Sequence, residues 1–248
     1  MNLLFIGDVV GTPGRRVLAA HLPTLRERLK LDLVVANGEN ADGGFGITRE
    51  AARELFDLGV DVLTNGNHAW DKREALQYIV TEPRLLRPHN YPPGTPGSGW
   101  YVVEARGAKV GVLNLMGTAF MHPTLACPFR AADEALAQKP EDVRVVLVDF
   151  HAETTSEKWS MGWHLAGRVS AVVGTHTHVP TADERILAGG TAYISDVGMT
   201  GCYNSVIGMD IQKTLRRFLL KLPEKFDAAQ GKGTLCAVVI DIDENSGN

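Results

Sequence analysis

The apolar positions of this chain fall into short continuous runs, and each run stops abruptly on a polar cluster. Leu3-Leu4-Phe5-Ile6 stops on Gly7-Asp8, Asp32 to Asn37 leads into Gly38-Glu39-Asn40, and Val60 to Thr64 ends on Asn65-Gly66-Asn67-His68. Val143 to Asp149 runs into Phe150-His151-Ala152-Glu153, and Ala171-Val172-Val173 into Gly174-Thr175-His176-Thr177-His178. Runs this short and uniformly apolar predict buried strands. Helical spacing fills the intervals. Leu18, Leu22, Leu25 and Leu29 repeat along one face behind Thr12, the expected N-cap, and Pro13 in the first turn; Pro23 is expected to kink or split that helix. Further helices are predicted from about Thr48, near Lys72 to Val80, over Pro128 to Gln138, from about Thr154, and near Asp210 to Leu220. Trp100 to Glu104 and Lys109 to Leu115 flank Ala105-Arg106-Gly107-Ala108, a hairpin signal, so the sheets should be mixed. Thr191 to Ser195 and Thr234 to Ile240 complete the predicted strands of an α/β chain whose residues 1–248 form one domain.

Composition narrows the function classes. With 248 residues and 44% hydrophobic content, the chain can bury one α/β core without staples. Cys127, Cys202 and Cys236 are far apart with no C-x-x-C pair, which fits a reducing, cytoplasmic setting and argues against both a disulfide framework and a structural zinc knot. No basic leader precedes the first strand and no apolar run is long enough to cross a bilayer, so no membrane role is expected. A net charge of −4 and a pI of about 6.1 argue against a surface that coats nucleic acid, although Arg15-Arg16 and Lys72-Arg73 could meet a phosphate locally.

In open α/β sheets ligands bind outside the strand ends, which is where Asp8, Glu39, Asn40, Asn67, His68, His151, His176 and His178 fall. Each has an ordinary reading alone: Asp8 as a cap, Asn67 in a turn, His151 in a core, Glu39 in solvent. Together they offer oxygen and imidazole donors and no sulfur. On an extended backbone, side chains two apart point the same way, so His176 and His178 are expected to share one small volume. That is a metal-site pattern.

The ordered set Gly7-Asp8, Gly38-Glu39-Asn40, Gly66-Asn67-His68, a lone His151 and Gly174-Thr175-His176-Thr177-His178 resembles the calcineurin-like metallophosphoesterases across most of the chain. Gly7-Asp8-Val9-Val10-Gly11, Asn37-Gly38-Glu39-Asn40, Asn67-His68-Ala69-Trp70-Asp71, Asp149-Phe150-His151-Ala152-Glu153 and Asp196-Val197-Gly198-Met199-Thr200-Gly201 are similar to the YmdB-type bacterial phosphodiesterases. The resemblance implies a four-layer α/β/β/α sandwich, a dinuclear metal centre, and hydrolysis of cyclic nucleotides, 2′,3′-cyclic and also 3′,5′-cyclic. The chain departs from the broader pattern where Val9-Val10 follows Asp8 in place of an Asp-x-His motif, and where Glu39 stands for the usual bridging Asp; Asn40 is then the natural substitute ligand.

Two cations about 3.5 to 4 Å apart can clamp a phosphoryl oxygen and generate a bridging hydroxide. Under this resemblance Glu39 bridges, Asp8, Asn40 and His178 complete one ion, and Asn67, His151 and His176 complete the other. Oxygen and imidazole ligation suits Fe or Mn, with Zn third. His68 is expected to protonate the leaving oxygen. Asp71 either orients His68 or caps a helix before Lys72, and amides from Gly11 to Gly14 could meet phosphate. Expected partners are a small cyclic nucleotide or other phosphodiester, RNA-derived ends, and a second copy of the chain. Other classes fit less well. A G-D-S serine hydrolase needs a serine where Val9 stands, while a nucleotide sensor with slow turnover, or a phosphomonoesterase or nuclease on the same scaffold, would differ in turnover and substrate.

Overall fold

A computed structural model describes residues 1–247. Its first sheet has the order β13-β1-β3-β4, from β1 (Asn2–Ile6), β3 (Leu33–Asn37), β4 (Val62–Thr64) and β13 (Ala237–Asp241); β1, β3 and β4 are parallel and β13 is antiparallel. The second has the order β5-β6-β7-β8-β10-β9, from β5 (Trp100–Ala105), β6 (Ala108–Met116), β7 (Val143–His151), β8 (Ala171–Thr175), β9 (Arg185–Ile186) and β10 (Ala192–Ile194). A small third sheet joins β2 (Asp8–Val9), β11 (Met199–Cys202) and β12 (Gly233–Thr234). The helices are α1 (Gly11–Arg28), α2 (Arg49–Asp57), α3 (Ala75–Thr81), α4 (Pro128–Gln138), α5 (Thr155–Leu165) and α6 (Ile211–Leu220).

The two-residue period of each strand builds the layers. Leu3, Phe5, Leu33, Val35 and Val62 of the first sheet meet Val110, Val112, Val145, Leu147, Ala171 and Val173 of the second in one buried layer. The alternate residues face outward: Leu4, Ile6, Val34, Ala36 and Leu63 pack on α1, α2 and α3. On the other side Leu113, Leu115, Val146, Val148 and Phe150 pack on α4 and α5. Both faces of each central strand are therefore covered, which explains the continuous apolar runs and produces the expected α/β/β/α sandwich with mixed sheets.

Several local expectations change. The first helix begins at Gly11 with Val10 as N-cap and no side-chain cap, so Thr12 lies inside it. Pro23 does not split it, because Ala19 and Pro23 both lie on the exposed face, where a carbonyl without its helical partner meets water. The run from Thr234 to Ile240 divides into β12 and β13, carrying the chain from the third sheet back to the first. The short strands β2, β9 and β11 lack a readable period. The hairpin is as expected, with Arg106 and Gly107 both at positive φ, the geometry of a two-residue primed turn. Among the described residues no helix is long and apolar enough to cross a membrane.

Candidate metal centre

The parity that places Leu33, Val35, Val145, Leu147, Ala171 and Val173 between the sheets continues to Asn37, Asp149, His151 and Thr175 at the strand ends. The apolar layer thus closes in a polar one. Asp149, fully buried, accepts hydrogen bonds from Thr64 Oγ1 (2.5 Å), Thr175 Oγ1 (2.7 Å) and Asn37 Nδ2 (3.2 Å). Burial pushes the Asp149 carboxyl up to about 6 against those bonds. Because the Thr175 hydroxyl proton goes to Asp149, its oxygen is left to accept from His151 Nδ1, 2.9 Å away, which turns Nε2 towards the site.

Around His151 Nε2 lie Asn67 Oδ1 (3.0 Å), Glu39 Oε1 (3.1 Å) and His176 Nδ1 (3.1 Å). The same Glu39 Oε1 also accepts from Asn40 Nδ2 (3.1 Å), which is 3.0 Å from His178 Nε2, and Asp8 Oδ1 is 3.9 Å from both His178 Nε2 and His151 Nδ1. The structure therefore brings Asp8, Glu39, Asn40, Asn67, His151, His176 and His178 to one place, with Glu39 touching both halves. Asn40 would present its oxygen to a cation by turning its amide plane. His68 stands beside the set: its backbone N–H donates to Glu39 Oε2 (3.1 Å), while its Nδ1 pairs with Asp71 Oδ2 (2.8 Å). Asp71 is not a helix cap, since α3 starts at Ala75 with Glu74 before it.

Three observations fit a bound cation. Asp8 Oδ1 is buried without a hydrogen-bond partner. Among the described residues, the one group of His, Cys, Asp and Glu side chains able to hold a metal is Glu39, His151 and His176, with donor atoms within 4.8 Å of one another. The electrostatics also ask for positive charge. Burial opposes an imidazolium at His151, yet Glu39, Asp8 and Asp149 outweigh it and hold its pKa up at about 9; the proton so retained is one a metal would displace. Burial raises the Asp8 carboxyl, while at Glu39 it is outweighed by His151, which holds that carboxyl well below the usual range. Burial and the adjacent His151 push His176 down to about 3.

Two expectations about geometry are corrected. β8 ends at Thr175, and His176 (φ 106°) and His178 (φ 66°) are left-handed, so a turn and not an extended strand aims the two rings. The Gly11 and Gly14 amides already donate to Asn40 O and Val10 O, which leaves neither for phosphate. Two further residues, present in the motifs but given no role from the sequence, shape the site. Glu153 Oε2 is 3.1 Å from His176 Nε2 and leaves Nδ1 facing His151. At Gly66 a Cβ would lie 2.2 Å from His151 Nε2 and 2.5 Å from Glu39 Oε2, so only glycine admits both groups. Asn37, Thr64, Asp149 and Thr175 do carry a signal: they occupy inward positions of runs otherwise apolar.

Paired sheets flanked by helices, with oxygen and imidazole donors crowning the joined strand ends, define a protein of the calcineurin-like metallophosphoesterase class. A 5′-nucleotidase precursor from Thermus thermophilus shares the fold at 20% identity, with a TM-score of 0.54 over 77% of this chain and 45% of that one. The chain belongs to the YmdB-like protein family, whose model matches residues 4–248. It is 50% identical over 246 residues to a 2′,3′-cyclic-nucleotide 2′-phosphodiesterase of Bacillus subtilis (strain 168), covering 99% of this chain and 93% of that protein. The structure of a novel phosphatase from Mycoplasma pneumoniae superposes with a TM-score of 0.94 at 36% identity, over 100% of this chain and 89% of that one.

Proposed function

We propose that this chain is a metal-dependent phosphodiesterase that hydrolyses 2′,3′-cyclic nucleotides at the 2′ ester. The observation that carries the reading is the cluster around Glu39 with His68 and Asp71 beside it; the half-identical Bacillus subtilis relative supports the substrate. Asp8, Asn40 and His178 would hold one cation and Asn67, His151 and His176 a second, with Glu39 shared between them. Two such ions, iron or manganese by the donor set with zinc also accommodated, would supply an activated water and neutralise the phosphoryl oxygens.

The chain's own residues do the rest. The Thr175 bond to His151 Nδ1 and the Glu153 bond to His176 Nε2 hold both imidazoles with their other nitrogens inward. Asp71 holds His68 through Nδ1, leaving Nε2 to carry the proton. A water that has released one proton to solvent joins phosphorus through its oxygen, the P–O2′ bond breaks with its electron pair passing to O2′, and O2′ takes the His68 proton, which solvent restores, giving the nucleoside 3′-phosphate. A 3′,5′-cyclic nucleotide offers the same charged diester with an alkoxide leaving group and is a second substrate.

The test is the product formed from 2′,3′-cyclic AMP by Mn²⁺-loaded protein. Adenosine 3′-phosphate is expected, with turnover abolished by chelation and restored by Mn²⁺. Release of the 2′-phosphate, or no hydrolysis by metal-loaded protein, would contradict the reading.

A further inference from the structure

His176 and His178 sit in a backbone conformation that L residues rarely adopt and that persists only where the surroundings enforce it. Asp8 Oδ2 accepts from the His176 N–H (3.2 Å) and the His178 carbonyl accepts from the Met199 N–H (3.3 Å), while the contacts to the peptide between the two histidines converge on Asp196, which is fully buried behind the turn. Its Oδ2 accepts from the Thr177 N–H (3.1 Å), the Thr177 hydroxyl (2.8 Å) and the Lys158 ammonium (2.6 Å). Its Oδ1 accepts from the Gly198 N–H (2.8 Å), and its backbone carbonyl accepts from the Thr181 N–H (3.0 Å). Thr177 is the residue between the two histidines. Lys158 reaches it from α5 and is itself only 2% exposed.

A buried ion pair adds little stability over apolar residues of the same volume, so stability alone is a weak reason for this one. Charge-assisted bonds are nevertheless short and directional, which suits a carboxylate that must fix one peptide. We propose that the buried Lys158–Asp196 pair is a positioning device that holds the peptide between His176 and His178 in its turn and thereby aims both imidazoles. Neither residue touches substrate. The inference rests on reading His176 and His178 as cation ligands.

Asp196→Asn alone would strand the Lys158 charge in the interior, so the informative protein is the full chain carrying Lys158→Met and Asp196→Asn together. Three quantities are compared with the wild type: hydrogen exchange of the Thr177 to Thr181 amides, Mn²⁺ affinity by calorimetry on chelator-stripped protein, and kcat and KM on 2′,3′-cyclic AMP. Exchange in the turn should quicken at least about tenfold with that of β8 unchanged, Mn²⁺ should bind about 10- to 100-fold more weakly, and kcat should fall with KM little altered. Thr177→Val, which keeps the pair and the Thr177 N–H bond but removes the hydroxyl's bonds to Asp196 and to the Val179 backbone, should move affinity and exchange of the Thr177 amide the same way by less, and it decides the matter if the double variant does not fold. Wild-type exchange in the turn, or wild-type Mn²⁺ affinity in the variants, would overturn the inference. Wild-type protein that binds Mn²⁺ but cleaves no phosphodiester would instead overturn the proposed function, leaving the exchange and affinity comparisons to stand.

Discussion

Glu39→Gln is expected to abolish turnover, by about 10³-fold or more, while the fold survives. Glu39 lies against both halves of the cluster at hydrogen-bonding distance, its Oε1 being 3.1 Å from both His151 Nε2 and Asn40 Nδ2. Replacing its carboxylate removes the shared charge from a buried, preorganised site, where a single such group carries several kcal/mol of transition-state stabilisation. Glutamine keeps the volume and one acceptor oxygen, so packing should be spared. Elemental analysis should show lost metal and circular dichroism an unchanged spectrum. A variant with full metal content and normal turnover would remove Glu39 from the centre of the account.

His68→Ala should keep its metals and lose about 10²- to 10⁴-fold in turnover, the range for a positioned proton donor. His68 contributes only its backbone N–H to Glu39, and its Nδ1 belongs to Asp71. The loss should depend on the leaving group. Bis(p-nitrophenyl) phosphate releases a stable phenolate without a proton, whereas a 2′,3′-cyclic nucleotide must release a sugar alkoxide, so the variant should be far less impaired on the aryl substrate. Equal losses on both would indicate positioning of substrate, and loss of metal would make His68 a ligand.

The sandwich is legible in the sequence because its strands are covered on both faces, and two-sided burial writes itself into the chain as unbroken apolar runs such as Val145 to Val148. The convergent residues are legible for a related reason: each terminates such a run, so the pattern alone puts Glu39, Asn67 and His151 at strand ends. What the sequence does not reveal is held by contacts far apart in the chain. Lys158 and Asp196 are separated by 38 residues and pair across elements with no shared period. The left-handed turn at His176 and His178 reads as extended, because the apolar pattern ends at Val173 and nothing local announces positive φ. Pro23 misleads for the opposite reason: its local signal is strong, but on an exposed face water takes the carbonyl it frees and the helix runs on.

The most direct measurement is an anomalous-difference map from crystals of Mn²⁺-loaded protein, collected where manganese scatters anomalously. Two peaks are predicted in the cluster, one against Asp8, Asn40 and His178 and one against Asn67, His151 and His176, with Glu39 in contact with both. A map with no peak there, or with a cation that Glu39 does not touch, would contradict the account.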